Sequence, residues 1–203
     1  MAKRVDKKSM VLQGKKKNSW LLPAAVVLSL AIVGGAVVLK TSSQTAATDK
    51  ANVGTYNVGT QVTYDAAQKI EQTVVQPEFK DGKIYLDLEL VKNNKIVKFE
   101  IPNQKVTLPN GTTFNSLPIT AYVAPSGRVV GAVSFCEPCS GTSFHIEGNE
   151  LVCNVCGTRW TLEDLKGVSG GCLTYPPDEV KYEVKDGKMV FDEKELRAWQ
   201  PRV

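Results

Sequence analysis

Apolar and polar positions divide the chain into two regimes. Trp20 to Leu39 is an uncharged apolar run with no polar face, whereas from Lys83 onward apolar residues recur at every second position in short runs broken by turn residues. The first run is twenty residues long, and at about 1.5 Å rise per residue a helix of that length crosses a bilayer core of about 30 Å. Backbone groups in hydrocarbon must be satisfied within the segment, so a lone span is expected to be helical. Lys3, Arg4, Lys7, Lys8, Lys15, Lys16 and Lys17 precede it, Trp20 stands at its basic end and Lys40 closes it. Basic residues stay on the cytoplasmic side and indoles favour the interface. The pattern therefore predicts a single-pass protein of the cell membrane with a cytoplasmic N-terminus. Residues 1–19 form a basic cytoplasmic tail, 20–39 a transmembrane helix, 40–58 a linker and 59–203 an extracytoplasmic domain. A cleaved secretory signal is the rival reading, since the small residues Thr41 to Ala47 follow the run. Such signals, however, carry a shorter apolar core of about 7–15 residues.

Beyond the linker the pattern is mostly that of strands. Gln61 to Gln72 is compatible with a short amphipathic helix. Lys83–Val91 alternates Ile84, Leu86, Leu88 and Leu90 with more polar neighbours, the period of a half-buried strand. Asn93-Asn94 is expected to turn it into Lys95–Ile101. Turn dipeptides recur at Asn110-Gly111, Ser126-Gly127, Gly148-Asn149 and Asp186-Gly187, each between apolar runs that read as hairpins. Asp192 is placed to cap a final helix, EKELRAW. Many short strands punctuated by turns predict a mainly β fold, a sandwich or barrel.

Charge changes the picture by subtraction. The chain carries a formal +4, but eight of its 25 basic and one of its 21 acidic residues fall in residues 1–40. That leaves 17 basic and 20 acidic residues beyond the span. The basic cluster is thus accounted for by topology and anionic lipid, and no nucleic-acid footprint remains.

The candidate chemistry lies in the cysteines. All five fall between Cys136 and Cys172, and four of them form Cys136-Glu137-Pro138-Cys139 and Cys153-Asn154-Val155-Cys156. A two-residue gap lets a tight turn aim both sulfurs at one point, and two such knuckles supply four thiolates to one metal centre. The intervening segment contains the Gly148-Asn149 turn, which brings the second knuckle back beside the first. Cys172 follows Gly170-Gly171 and is a further candidate ligand or a buried free thiol. Zinc fits the same spacing as iron does. A thiol–disulfide protein is a third alternative for an exported chain, though the fifth cysteine and the lack of a thioredoxin-type context fit it less well. Covalent haem is excluded, because Ser140 and Gly157 stand where histidine must follow the second cysteine. His145, Phe144 and Trp160 read as strand and packing residues near the centre. No serine–histidine–acid set, phosphate loop or metal-hydrolase motif is present.

The stretch VSFCEPCSGTSFHIEGNELVCNVCGTRWTLEDLKGVSGGC resembles the FtrD-like family of membrane iron–sulfur proteins, over roughly residues 80–200. The resemblance implies an iron–sulfur cluster held by Cys136, Cys139, Cys153 and Cys156, with Cys172 as a substitute ligand or near neighbour. It also implies an electron-transfer role beside an iron permease or another membrane redox partner. Cys153-Asn154-Val155-Cys156-Gly157-Thr158-Arg159-Trp160 is more weakly similar to the second loop of Rieske domains, which implies a Rieske-like fold. Rieske centres place two histidines on one iron, and the corresponding positions here are Cys139 and Cys156. An all-thiolate site implies a lower potential than the mixed-ligand one.

Overall fold

The computed structural model describes residues 55–202; the expected span Trp20–Leu39 and its basic tail lie outside them. Among the described residues no helix is long and apolar enough to cross a membrane. The fold is mainly β, as the alternation predicts. In chain order the strands are β1 (Lys69–Glu71), β2 (Thr73–Val74), β3 (Glu78–Lys80), β4 (Lys83–Asp87), β5 (Ile96–Thr107), β6 (Thr113–Val123) and β7 (Val129–Val133). They continue with β8 (Phe144–Glu147), β9 (Glu150–Cys153), β10 (Arg159–Thr161), β11 (Gly167–Ser169), β12 (Asp178–Glu179), β13 (Glu183–Lys185) and β14 (Lys188–Asp192). Helix α1 (Leu88–Asn94) follows β4 and α2 (Glu193–Arg197) follows β14.

Three sheets result, ordered β1-β8-β9-β10-β11, β12-β7-β6-β5-β2 and β13-β14-β4-β3. Each turn dipeptide joins antiparallel neighbours, β5 to β6, β6 to β7, β8 to β9 and β13 to β14. β5 slips register between Pro102 and Val106, where proline has no N–H to give the ladder and a bulge absorbs it.

Two expectations are corrected. Gln61–Gln72 forms no helix: it is irregular with a turn at Ala66-Ala67 and then strand β1. Tyr64 is buried and its hydroxyl donates to the Val123 carbonyl, while Val62 N–H donates to Pro125 O at 3.0 Å. Pairing with distant chain thus outweighs a weak helical period. Lys83–Val91 is not one strand either, because it changes to helix at Leu88. Asp87 caps that helix by accepting from Glu89 N–H, and Val91 is fully buried where Leu90 is exposed, a shift from period 2 to period 3.

The buried side chains form two clusters. One holds Ile84, Leu86, Phe99, Ile101, Leu117, Tyr182, Met189 and Phe191, with Tyr56 and Val58 packed against it, so the end of the expected linker lies on this core. The other holds Tyr64, Tyr122, Val130, Phe144, Ile146, Leu151, Trp160 and Leu162, together with Cys136, Cys153 and Cys172. β7 is buried at all five positions because Val129 and Val133 face the first cluster and Val130 the second. This explains its unbroken apolar run, VVGAV.

Candidate metal centre

Antiparallel pairing sends the cysteines to one place. Phe144 at the start of β8 faces Cys153 at the end of β9. Arg159 at the start of β10 faces Val152 on one side and Ser169 at the end of β11 on the other. The loops at that end of the sheet carry Cys136 and Cys139 before β8, Cys153 and Cys156 between β9 and β10, and Cys172 after β11.

Each knuckle is closed by the same bond. Cys136 N–H donates to Gly141 O at 2.8 Å, and Cys153 N–H donates to Thr158 O at 3.0 Å. In each the fourth residue after the first cysteine turns left-handed, Ser140 with φ 57° and Gly157 with φ 70°. The β8–β9 hairpin also ties them together, with Asn154 N–H donating to Ser143 O.

The sulfurs converge. Sγ of Cys136 lies 3.7 Å from that of Cys156, Cys139 lies 3.7 Å from Cys153, and Cys156 lies 3.9 Å from Cys172. The Sγ atoms of Cys136, Cys139, Cys156 and Cys172 are all within 4.8 Å of one another. Cys172 thus stands in the mutual set rather than beside it, whereas Cys153 lies outside that set and adjoins it at Cys139. The five are free thiols, with Cys136, Cys153 and Cys172 buried, Cys139 intermediate and Cys156 exposed.

The donor set fits a thiophilic metal. Every donor atom in the cage is sulfur, which suits iron or zinc and disfavours hard cations. A Cβ on Gly141 would stand 2.7 Å from Cys153 Sγ and 3.2 Å from Cys139 Sγ, so glycine keeps room for the sulfurs to approach. His145 is not a ligand here: its Nδ1 pairs with Asn154 Oδ1 at 2.5 Å.

Electrostatics lowers the pKa of both thiols of the second knuckle. Cys153 is brought down to about 5 by a hydrogen bond from the Cys136 thiol, aided against burial by the backbone N–H groups of Cys156 and Val155. For Cys156, burial pushes upward but is outweighed by hydrogen bonds from the Thr158 hydroxyl and backbone, so it too moves down. On the first knuckle Cys136 moves well up, because its thiol bonds to Cys153 and because it is buried. Burial pushes Cys139 up to about 12. Metal binding must displace the protons that remain on these two.

Two supports were not legible as site residues. Thr158 is fully buried. Its Oγ1 lies 3.2 Å from Cys156 Sγ and accepts from Cys172 N–H at 3.2 Å, so it links the second knuckle to the fifth cysteine. Glu137, 1% exposed, accepts from Arg202 N–H and Nε at 2.6 Å each, and Arg202 also reaches Pro176 O. A partner sixty-five residues away leaves no local signal. Trp160 packs edge-on against Phe144, and its Nε1 donates to Leu173 O at 3.1 Å, fixing the loop after Cys172.

No curated protein and no solved structure matches this sequence. The profile of one family, described as membrane iron-sulfur containing protein FtrD-like, matches residues 91–203 and takes in both knuckles and Cys172. The chain belongs to the FtrD-like family of membrane iron–sulfur containing proteins.

Proposed function

We propose that this chain is a membrane-anchored electron-transfer protein, a redox accessory to iron transport. Its Cys136, Cys139, Cys153 and Cys156, with Cys172 as a substitute ligand or close neighbour, hold an iron–sulfur cluster outside the cytoplasm. The observation that carries the reading is the all-sulfur cage at one end of the sheet, with Cys156 exposed, Cys139 partly buried and Cys136, Cys153 and Cys172 buried in the core. Iron bound by thiolates supplies a one-electron couple. The chain contributes a frame that holds the ligands in place, and a single exposed edge to which a redox partner can come close. Val155, 62% exposed beside Cys156, adds an apolar contact there. The anchor is Trp20–Leu39, with the N-terminus cytoplasmic by its basic residues, and the partner is an iron permease or another redox protein of the same membrane.

The test is anaerobic purification of the full chain in detergent, followed by the visible spectrum, metal analysis and a redox titration. Bound iron with absorbance that bleaches reversibly on reduction is the expected result. A colourless, redox-silent protein with one zinc per chain overturns it.

That outcome is the second reading, a zinc-stabilised structural or interaction module, and one observation favours it. With metal–sulfur bonds of about 2.3 Å, a tetrahedral ion sets its ligand sulfurs about 3.8 Å apart. The closest Sγ pairs here are 3.7–3.9 Å apart. Chelation then unfolds the second core cluster, to which three of the cysteines belong.

A further inference from the structure

The two knuckles are closed by the same hydrogen bond, but on different residues. Gly141 O accepts from Cys136 N–H in the first, and Thr158 O accepts from Cys153 N–H in the second. Each closing residue stands two places after the second cysteine of its pair. At Gly141 no side chain fits, since a Cβ would come 2.7 Å from Cys153 Sγ and 3.2 Å from Cys139 Sγ. At Thr158 the second knuckle carries a hydroxyl instead. We infer that Thr158 sets the reduction potential of the centre through Cys156: its hydroxyl donates to Cys156 Sγ and favours the reduced state. The inference rests on the reading that these thiols hold an iron–sulfur cluster.

The direction of that bond follows from what surrounds the oxygen. Oγ1 lies 3.2 Å from Cys156 Sγ and accepts from Cys172 N–H at 3.2 Å. The backbone group takes a lone pair, and the hydroxyl hydrogen is left for the sulfur. A metal-bound thiolate has no hydrogen to give, so the hydroxyl is the donor. Thr158 is fully buried, which keeps water from competing. The loop after β11 passes close over it: Gly170 takes φ +112°, and a Cβ there would come 2.6 Å from Thr158 Cα and Oγ1.

Reduction adds negative charge to the centre, and part of it spreads onto the thiolate sulfurs. A hydroxyl aimed at one of them therefore interacts more strongly with the reduced state than with the oxidised one. Burial leaves that difference weakly screened. Hydrogen bonds to the sulfurs are among the means by which a protein sets such potentials. One electron arrives from a reduced partner and leaves to an oxidised one, and no covalent bond to Thr158 forms or breaks.

The consequence is an asymmetric site. The hydroxyl acts on Cys156, the exposed thiol, while its counterpart on the first knuckle is a bare glycine. Electron density is thus favoured on the side that a redox partner can reach. A merely structural threonine would do no more than satisfy Cys172 N–H, and the potential separates the two roles.

The full chain in detergent, purified anaerobically, is assayed for iron and inorganic sulfide and titrated spectroelectrochemically at one pH. Thr158→Val and Thr158→Ala should retain iron and sulfide, with a potential lower by about 59 mV, a tenfold change in the one-electron equilibrium. Thr158→Ser keeps the hydroxyl and should match the wild type. Thr161→Val is the control: the Thr161 hydroxyl bonds Asp164, and its removal should leave the potential unchanged. Unchanged potentials in Thr158→Val and Thr158→Ala overturn the inference, as does an equal shift in either Thr158→Ser or Thr161→Val. Loss of the cluster from both Thr158→Val and Thr158→Ala also overturns it, because the hydroxyl then holds the site together and does not tune it. A colourless zinc protein overturns the electron-transfer reading and this inference with it. A cluster whose potential ignores Thr158 overturns this inference alone.

Discussion

The two knuckles share a spacing, a closing hydrogen bond and a left-handed fourth residue, yet they are built into the molecule in opposite ways. In the first, Glu137 turns inward, buried and clamped by Arg202, and Asn110 donates to the carbonyl of the exposed Pro138 and to Ser140 Oγ. In the second, Asn154, Val155, Cys156 and Gly157 are all exposed. A common covalent pattern thus produces one half-site locked by distant chain and one half-site presented to solvent. The pattern sets how the sulfurs converge; the residues between them decide which half faces a partner.

The largest effect that separates the halves should come from the clamp. Arg202→Ala leaves the Glu137 carboxylate buried without its guanidinium. Breaking a buried pair costs about 3–5 kcal/mol, and because Arg202 is one-third exposed and its backbone N–H remains, we expect about 2 kcal/mol. Urea unfolding of the metal-loaded protein measures this. Glu137→Gln, which keeps the shape without the charge, should cost less. If the two variants are equally mild, the Arg202 clamp does not lock the first knuckle.

A smaller difference is expected at the left-handed residues. Gly157 has φ 70° with open space around it, so Gly157→Ala carries only the backbone penalty of about 1–2 kcal/mol. Ser140→Gly at the matching position relieves that penalty but loses the 2.6 Å bond from Asn110, about 1 kcal/mol. The two nearly cancel, and thermal unfolding of both variants should show a loss at the second knuckle and little change at the first.

Much of this was legible beforehand where the signal is local. Asn110-Gly111, Ser126-Gly127, Gly148-Asn149 and Asp186-Gly187 all turn between paired strands, since turn chemistry acts within a few residues. Asp192 caps α2 by accepting from Glu195 N–H. What stayed hidden depends on distance. Leu88 and Leu90 continue the alternation of β4 on paper, but the Asp87 cap and the burial of Val91 carry the chain into a helix. Periodicity alone gave the cap no weight. Tyr64 lies in a segment with helical spacing, and its hydroxyl finds a carbonyl fifty-nine residues away. Within the site, the five cysteines could be picked out from spacing, but the close association of Cys172 with Cys136, Cys139 and Cys156 arises from β11 pairing beside β10, which no spacing reveals.

The finest contrast between the halves is chemical and should appear as a rate. Thiolate, not thiol, is the nucleophile, and an unperturbed cysteine titrates near about 8.5. Cys156 is exposed and held below its ordinary range by Thr158 despite the opposing effect of burial. Cys139, half-hidden on the first knuckle, is raised to about 12 by burial. In metal-free protein under reducing conditions, iodoacetamide should therefore modify Cys156 first, and its rate should already be levelling off as pH rises through the range where free cysteine is still gaining. Cys139 should lag throughout neutral pH and accelerate only in strong alkali. Peptide mapping of the alkylated protein at a series of pH values measures both profiles. Thr158→Val, which removes the hydroxyl but keeps the shape, should move the Cys156 profile towards that of free cysteine and leave Cys139 where it was. Coincident profiles for the two cysteines would mean that the presented half-site is no more thiolate-like than the locked one, and the contrast would then be one of packing alone.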